Sequence, residues 1–358
     1  MGARETTTMF VTLQSPKQEP LGVFECAPGE RLLYAGLRAG LALPHECATG
    51  TCGTCKAKVV SGEVELAWPE APGLKFLKPG GTEVLLCQTH ARSDCSFAVR
   101  PGPEVDVDAP NLPASYRGRV SRSGMLTHDV LIMEVALDRP IHFVAGQFAL
   151  FAAPGIEGFR AYSMVNRAGP TSVLELIVKR KSGGALTNLL FAEDLAGLEL
   201  DVMGPLGRAT FNAQMDTGDL VLAAGGTGIA GLMSVLADAS GSGHLQSHRA
   251  VVFFGVRTAT DLFFLDRFAA LRRRHPDTLR VVIATSEENV PEATAAAYPL
   301  LQFQRGFVHE ALADRDLSEF ANVTAYAAGP VPAVEALTSV LITRHRVPPT
   351  RIRFDRFG

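Results

Sequence analysis

The apolar positions change their period three times along the chain. Met9 to Gln14 and Leu21 to Cys26 alternate apolar with polar residues on either side of Ser15-Pro16-Lys17, which predicts a hairpin. Arg31 to Arg38 places Leu32, Leu33 and Leu37 at helical spacing, and Gly40 closes that segment. Ala57 to Val60, Glu63 to Leu66, Glu83 to Cys87 and Ser96 to Val99 alternate again, completing a small mixed sheet with one helix. From Tyr116, strand follows strand: Gly118 to Ser121, His128 to Val135, Gln147 to Ala152, Arg160 to Val165, Val173 to Lys179 and Glu199 to Val202. Glycine and proline punctuate the intervals, as in a small antiparallel barrel. After about Asp216 strands alternate with helices, beginning with Leu220 to Ala224, Ile229 to Ala239, Val251 to Val256, Asp261 to Arg274 and Arg280 to Ala284. Val323 to Ala327 and Ala333 to Arg346 give a further pair. This alternation implies a parallel sheet covered by helices, with a ligand at the carboxyl ends of its strands.

Arg100 to Ser115 carries Pro101, Pro103, Pro110 and Pro113 without any apolar period, and reads as a semi-rigid linker. The expected divisions are an α+β domain at 1–103, a linker at 104–114, a β-barrel at 115–213 and an α/β domain at 214–358. A chain of 358 residues can supply two or three cores. Its formal charge of −3, with no basic tract, argues against nucleic acid as a partner. Leu220 to Ala239 is apolar enough to be scored as a membrane span. Gly225, Gly226, Gly228, Gly231 and Asp238 fit a buried strand, turn and helix better, so no membrane association is expected. Met1 to Phe10 has no signal-peptide pattern. Met1 to Thr6 satisfies the myristoylation string, which short sequences often meet by chance. The expected location is a reducing cytoplasm.

Candidate chemistry begins at Cys47, Cys52 and Cys55, with a fourth thiol at Cys87. The C-x4-C-x2-C…C spacing is that of plant-type [2Fe–2S] clusters. Two bridged irons need four thiolates converging on a small object, so three come from one tight loop and one from elsewhere. Gly50 and Gly53 permit the positive φ and close approach such a loop needs. Structural zinc prefers two C-x2-C knuckles, and only Cys52 and Cys55 form one. Disulfides are disfavoured because the chain is not a cysteine-dense scaffold, and Cys26 and Cys95 read as buried hydrophobes. Two glycine segments could receive phosphates. Ser182 to Thr187 opens a short helix with a glycine pair, and Gly225-Gly226-Thr227-Gly228 links a strand to a helix. The latter is not a literal G-x-G-x-x-G fingerprint.

The order of these parts resembles the reductase components of bacterial multicomponent oxygenases. In that family a β-grasp, plant-type ferredoxin domain is fused to a ferredoxin-NADP-reductase-like FAD/NAD module. Arg160-Ala161-Tyr162-Ser163 resembles the family's R-x-Y-S segment. The resemblance implies that Tyr162 packs on the isoalloxazine, Ser163 bonds near its reactive nitrogen and Arg160 meets the pyrophosphate. Ile177-Val178-Lys179, Gly183, Gly184 and Thr187 resemble a second flavin segment. Gly226, Thr227 and Gly228 resemble the nicotinamide-side turn, and Arg257 with Asp261 a strand end that contacts the rest of that nucleotide. Gly231 replaces a usual proline. Ala328-Gly329-Pro330-Val331 replaces Cys-Gly-Pro-Pro, so the cysteine usual near the nicotinamide is absent. Phe354-Asp355-Arg356-Phe357 resembles an acidic-aromatic tail beside the flavin. Trp68 to Leu74 and this tail look most like reductases of diiron toluene monooxygenases, whereas Gly204 to Gly207 and Phe254 to Arg257 look as much like those of Rieske dioxygenases. The former is favoured.

Nicotinamide gives up two electrons together and a [2Fe–2S] cluster accepts one, so a flavin that does both belongs between them. The expected path runs from NADH through FAD and the cluster to an oxygenase or hydroxylase component or an intermediary ferredoxin. Ser163 is the one candidate catalytic side chain. NADH is expected over NADPH because Arg257 stands alone before Asp261, whose charge would repel a 2′-phosphate. Asp261 could instead cap its helix. The alternatives are a reductase serving a cytochrome P450 or separate ferredoxin, and a non-catalytic iron–sulfur sensor. The sensor reading leaves the Arg160–Ser163 and Gly225–Gly228 segments unexplained.

Overall fold

The computed structural model describes residues 7–102, 111–192 and 195–357. The myristoylation string and most of the proline-rich linker lie outside these residues. The chain forms two compact units. One is the chain up to Ser115 with Glu157–Ala161 and Val202–Pro205, and the other is the remainder.

In the first unit, β1 (Met9–Gln14) and β2 (Pro20–Cys26) form the expected antiparallel hairpin. Val11 and Leu13 point to one face with Phe24 and Cys26, all buried, so the period-two pattern sets the register. Helix α1 (Leu32–Arg38) packs Leu32, Leu33 and Leu37 beneath it. The sheet order is β2-β1-β7-β3-β5, with β3 at Lys56–Ser61, β5 at Glu83–Leu85 and β7 (Cys95–Ala98) parallel to β1. Two expectations are corrected. The segment β4 (Val64–Leu66) leaves the main sheet and pairs with β6 (Thr89–Ala91) in a separate ribbon. Cys87 lies on a one-turn 3₁₀ helix, Leu86–Gln88, because the strand ends at Leu85. Cys26 and Cys95 are buried as expected.

Next along the chain, β8 (Ala114–Met125), β9 (Val130–Phe143), β10 (Phe148–Ala152), β11 (Arg160–Ser163), β12 (Gly169–Lys179) and β13 (Glu199–Leu206) form a six-stranded sheet ordered β11-β10-β13-β8-β9-β12. A bridge between Met164 and Leu176 brings its two edges together, giving the barrel. Strand β8 runs past its apolar alternation because backbone pairing with β9 continues where its side chains are exposed, and β9 runs on to bury Leu137, Ile141 and Phe143. A short helix, α2 (Ala185–Leu190), lies between β12 and β13.

The nucleotide-type layer is a parallel sheet ordered β17-β16-β15-β14-β18-β19. Its strands are β14 (Leu220–Gly225), β15 (Ala250–Val256), β16 (Leu279–Thr285), β17 (Gln302–Arg305), β18 (Thr324–Pro330) and β19 (Ile352–Phe357). The helices are α3 (Ile229–Gly241), α4 (His244–Ser247), α5 (Leu265–Arg274), α6 (Glu292–Ala297), α7 (Val308–Ala313) and α8 (Val331–Thr343). Along β14, Leu220, Leu222 and Ala224 enter a core with α3 and α5, while Val221 and Ala223 enter one with α7 and α8. Burial on both faces is why this strand reads as an unbroken apolar run. The first core also takes Val130, Ala145, Val165, Ile177 and Phe211 from the barrel and its flanking connections, so barrel and layer share one interior. Helix α5 begins at Leu265, not Asp261. Asp261 closes a separate 3₁₀ turn, and Phe264 at φ 63° interrupts the backbone. Among the described residues no helix is long and apolar enough to cross a membrane.

Candidate cofactor sites

Cys47, Cys52 and Cys55 lie on the loop between α1 and β3. That loop turns back through three left-handed residues, Ala48 (φ 54°), Gly50 (φ 92°) and Gly53 (φ 75°). Its amides consequently face inward, and the N–H groups of Thr49, Thr51 and Cys52 each donate to Cys47 Sγ at 3.4 Å. A Cβ on Gly53 would stand 2.6 Å from the Phe76 ring, and one on Gly50 would stand 2.9 Å from the Gln88 side chain. The loop is pinned from outside. The buried Tyr34 hydroxyl donates to the Ala48 carbonyl at 2.9 Å, and Arg31 donates to the Cys87 carbonyl at 3.1 Å.

The four thiols act on one another electrostatically as two pairs, Cys47 with Cys52 and Cys55 with Cys87. The interaction with Cys52, helped by Thr51 and backbone amides, holds Cys47 down to about 4. The same interaction, with burial, pushes Cys52 up, and the one with Cys87, again with burial, does so to Cys55. Two adjacent buried thiolates repel, and a cationic centre between them relieves that repulsion. Two pairs suit two metals with two thiolates apiece, the donor set of a [2Fe–2S] cluster. A single zinc would gather all four sulfurs around one ion.

On the barrel, Ser163 ends β11 and its hydroxyl donates to Asp355 Oδ2 at 3.1 Å. The Tyr162 ring lies 5.9 Å from that of Phe151, tilted by 52°. Arg160 is exposed and donates to the Phe159 carbonyl at 3.1 Å. Ile177 and Val178 bury their side chains, so only their backbone can face a ligand from edge strand β12. Lys179 pairs with Asp129 at 3.0 Å. Gly183 is left-handed at φ 70°, and α2 starts after Gly184 without a side-chain cap. The Thr187 hydroxyl is spent within this loop, between the Lys181 N–H (3.3 Å) and the Lys181 and Gly184 carbonyls (3.1 and 3.0 Å).

On the parallel layer, Gly226–Gly228 form a 3₁₀ turn that runs into α3, whose first N–H, on Ile229, bonds back to the turn, and no side chain caps the helix. A Cβ on Gly228 would fall 2.6 Å from the Ala328 carbonyl, and one on Gly329 (φ 141°) 3.1 Å from the Gly225 carbonyl oxygen. The ends of β14 and β18 thus meet backbone to backbone, which only glycine allows. Asp355 stands level with Ala328, and Phe357 with Pro330. A small cavity lined by Gly146, Gly228, Gly231, Ala328, Arg353 and Asp355 joins the turn, the tail and, through Asp355, Ser163. Arg257 is exposed at the end of β15. Asp261 is 6% exposed and accepts the Thr258 N–H (3.0 Å) and hydroxyl (2.8 Å) on Oδ2, which closes its own 3₁₀ turn and not the start of α5.

Models of three protein families match the chain: the 2Fe-2S iron-sulfur cluster binding domain at residues 18–92, the oxidoreductase FAD-binding domain at 117–211 and the oxidoreductase NAD-binding domain at 222–339. The ferredoxin–NAD(+) reductase component of the alkene monooxygenase system of Xanthobacter autotrophicus is 34% identical over 335 residues, 93% of this chain and 97% of that protein. The chain belongs to the iron–sulfur flavoprotein reductases of multicomponent oxygenases. Two solved structures agree over 98% of this reductase and 99% of their own chains. They are the ferredoxin reductase in carbazole 1,9a-dioxygenase (29% identity, TM-score 0.80) and an Amycolatopsis cytochrome P450 reductase (30%, 0.78). The reductase therefore carries [2Fe–2S], FAD and NAD modules in one polypeptide and is an oxidoreductase.

Sequence reasoning missed several residues that shape these sites. Ala48 adopts a glycine-like φ with no glycine to signal it. Gln88, 1% exposed, fills the space above Gly50 and donates to Cys87 Sγ at 3.8 Å, and its place beside Cys87 was the only hint. Arg353 and the buried Asp216 form a bidentate pair at 2.8 and 2.6 Å that fixes β19, and their separation by more than a hundred residues hides it from local reading.

Proposed function

We propose that this reductase oxidises NADH and passes the electrons through FAD and a [2Fe–2S] cluster to the oxygenase component of a bacterial hydrocarbon or aromatic oxygenase system, directly or by way of a ferredoxin. The observation that carries the reading is the full-length match that sets the cysteine loop, the Arg160–Ser163 strand and the Gly226–Gly228 turn in one chain. When bound, the flavin supplies the conversion from a two-electron donor to a one-electron acceptor.

The chain's own part is to hold, orient and insulate. Cys47, Cys52, Cys55 and Cys87 hold the cluster, with the amides on Cys47 tuning it. Tyr162 offers a ring face. Ser163 donates its one hydroxyl proton to Asp355 and would turn it to the flavin's reactive nitrogen once the flavin is bound. Arg160 and the backbone at Gly183 and Gly184 receive the flavin pyrophosphate, Thr187 bracing that loop. The backbone of Ile177, Val178 and Lys179 meets the ring's polar edge. Gly226, Thr227 and Gly228 at the start of α3 receive the nicotinamide nucleotide's phosphates. Gly329, Pro330 and Phe357 border the nicotinamide, with Arg257 toward the ribose. Ala328 brings no thiol, and hydride transfer requires none. With Asp261 buried in its own turn, the preference for NADH rests on Arg257 as the lone cation of that strand end. Six free cysteines suit a reducing cytoplasm.

The test is spectroscopic, then catalytic. Anaerobically purified protein should show flavin and iron–sulfur absorption that NADH bleaches, and a paramagnetic signal after reduction. Colourless protein ends the reading. A second customer has a specific observation behind it, the similarity to a cytochrome P450 reductase over nearly the whole chain. Turnover assays with diiron, Rieske and P450 acceptors decide among them, and product from the P450 alone would replace the oxygenase reading.

A further inference from the structure

Away from the cysteine loop, the barrel hairpin and the nucleotide layer bring three ligand side chains together. His128 and Asp129 sit on the turn between β8 and β9, and Asp261 closes the turn after β15. One ligand atom from each of the three lies within 4.8 Å of the others. His128 Nδ1 stands 4.0 Å from Asp261 Oδ1, and its Nε2 stands 3.8 Å from Asp129 Oδ2. Those separations are too long for hydrogen bonds. The edge of a tetrahedral zinc site, with ligands about 2.0–2.1 Å from the ion, is roughly 3.3 Å. One ion takes only one of the two ring nitrogens, so His128, 60% exposed, turns until a single nitrogen faces both carboxylates, whose ligand atoms already lie within 4.8 Å of it.

A second observation points to a ligand. Asp261 is 94% buried by its 6% exposure, yet its Oδ1 has no hydrogen-bond partner, while Oδ2 is fully engaged by Thr258. An orphaned buried carboxylate oxygen costs free energy unless a cation meets it. The cation present, Lys179, is committed to Asp129 at 3.0 Å. The geometry points to a binding site for a zinc-class divalent ion formed by His128, Asp129 and Asp261, with an open position for water. One imidazole and two carboxylates form a borderline donor set that suits Zn²⁺. Lys179 is the competitor. The Lys179 side chain is 45% exposed, so its ammonium can leave Asp129 for water. An ion there staples the barrel hairpin to the turn between β15 and α5, linking the flavin-side and nicotinamide-side segments.

The experiment is a zinc titration of the cluster- and flavin-loaded reductase against a chromophoric zinc indicator, with the cluster's paramagnetic signal followed to show that iron is not displaced. One equivalent should bind. H128Q and D261N should each weaken it about tenfold or more. K179M should tighten it several-fold, because it removes the competing ammonium. No bound equivalent, an affinity unchanged in H128Q, or no tightening in K179M would overturn the site. His128 is exposed, so H128Q keeps the test sound even if D261N folds poorly.

Discussion

The Ser163 hydroxyl is set by a long-range contact, its 3.1 Å bond to Asp355. Replacing Ser163 with alanine removes one hydrogen bond of about 1–1.5 kcal/mol, so NADH-dependent flavin reduction in anaerobic stopped flow should slow roughly tenfold. The iron–sulfur bands should be unchanged. Cys87→Ser removes a thiolate from a buried pair. It should abolish the cluster's paramagnetic signal and reduction of the oxygenase, while NADH-driven reduction of ferricyanide through the flavin persists. At this scale the spacing of the four cysteines was readable because a cluster imposes its own geometry on sequence. The left-handed Ala48 was not, since only Tyr34 and the neighbouring fold hold it there.

Strand β19 shows how an element's position depends on distant charges. Its alternating Ile352-Arg353-Phe354-Asp355 pattern resembles a strand, but the sequence suggested only a motif there. What fixes it beside β18 is the parallel register from Ala325↔Ile352 to Pro330↔Phe357 and the bidentate Arg353–Asp216 pair. Arg353→Ala leaves Asp216, 4% exposed, without its partner. The expected loss is about 3 kcal/mol, measured as an earlier midpoint in urea and earlier release of flavin fluorescence. The hairpin of β1 and β2 and the run of β14 were legible because burial on one or two faces writes itself into local hydropathy. The segments β17 and α7 were not, being short and steered by the elements they pack against.

For the molecule as a whole, acid stability follows from two buried histidines. Burial lowers His244 and His275 below their ordinary 6.5, with the Ser240 hydroxyl 2.7 Å from His275 Nε2 and the Gly218 carbonyl 3.0 Å from His244 Nε2. Above pH 6.5 neither folded nor unfolded chain carries these protons, and stability is unaffected by them. As pH falls below 6.5 the unfolded chain takes up protons that the folded chain refuses, so stability declines until the depressed folded values are passed. Urea midpoints at pH 7.5, 6.5 and 5.5 should fall over the last interval, and His275→Gln should flatten that fall. A midpoint that rises toward pH 5.5 would contradict the assignment.

By itself the sequence determined the order of the modules, the [2Fe–2S] ligand spacing, the barrel and the parallel layer, because period, turn residues and metal geometry are local constraints. Tertiary structure alone decided where Asp261 spends its carboxylate, that β4 leaves the main sheet, and that Asp355, bonded to Ser163, and the Gly228–Ala328 contact line one cavity. These depend on residues far apart in the chain whose meeting is set by packing of whole elements, which local pattern does not encode.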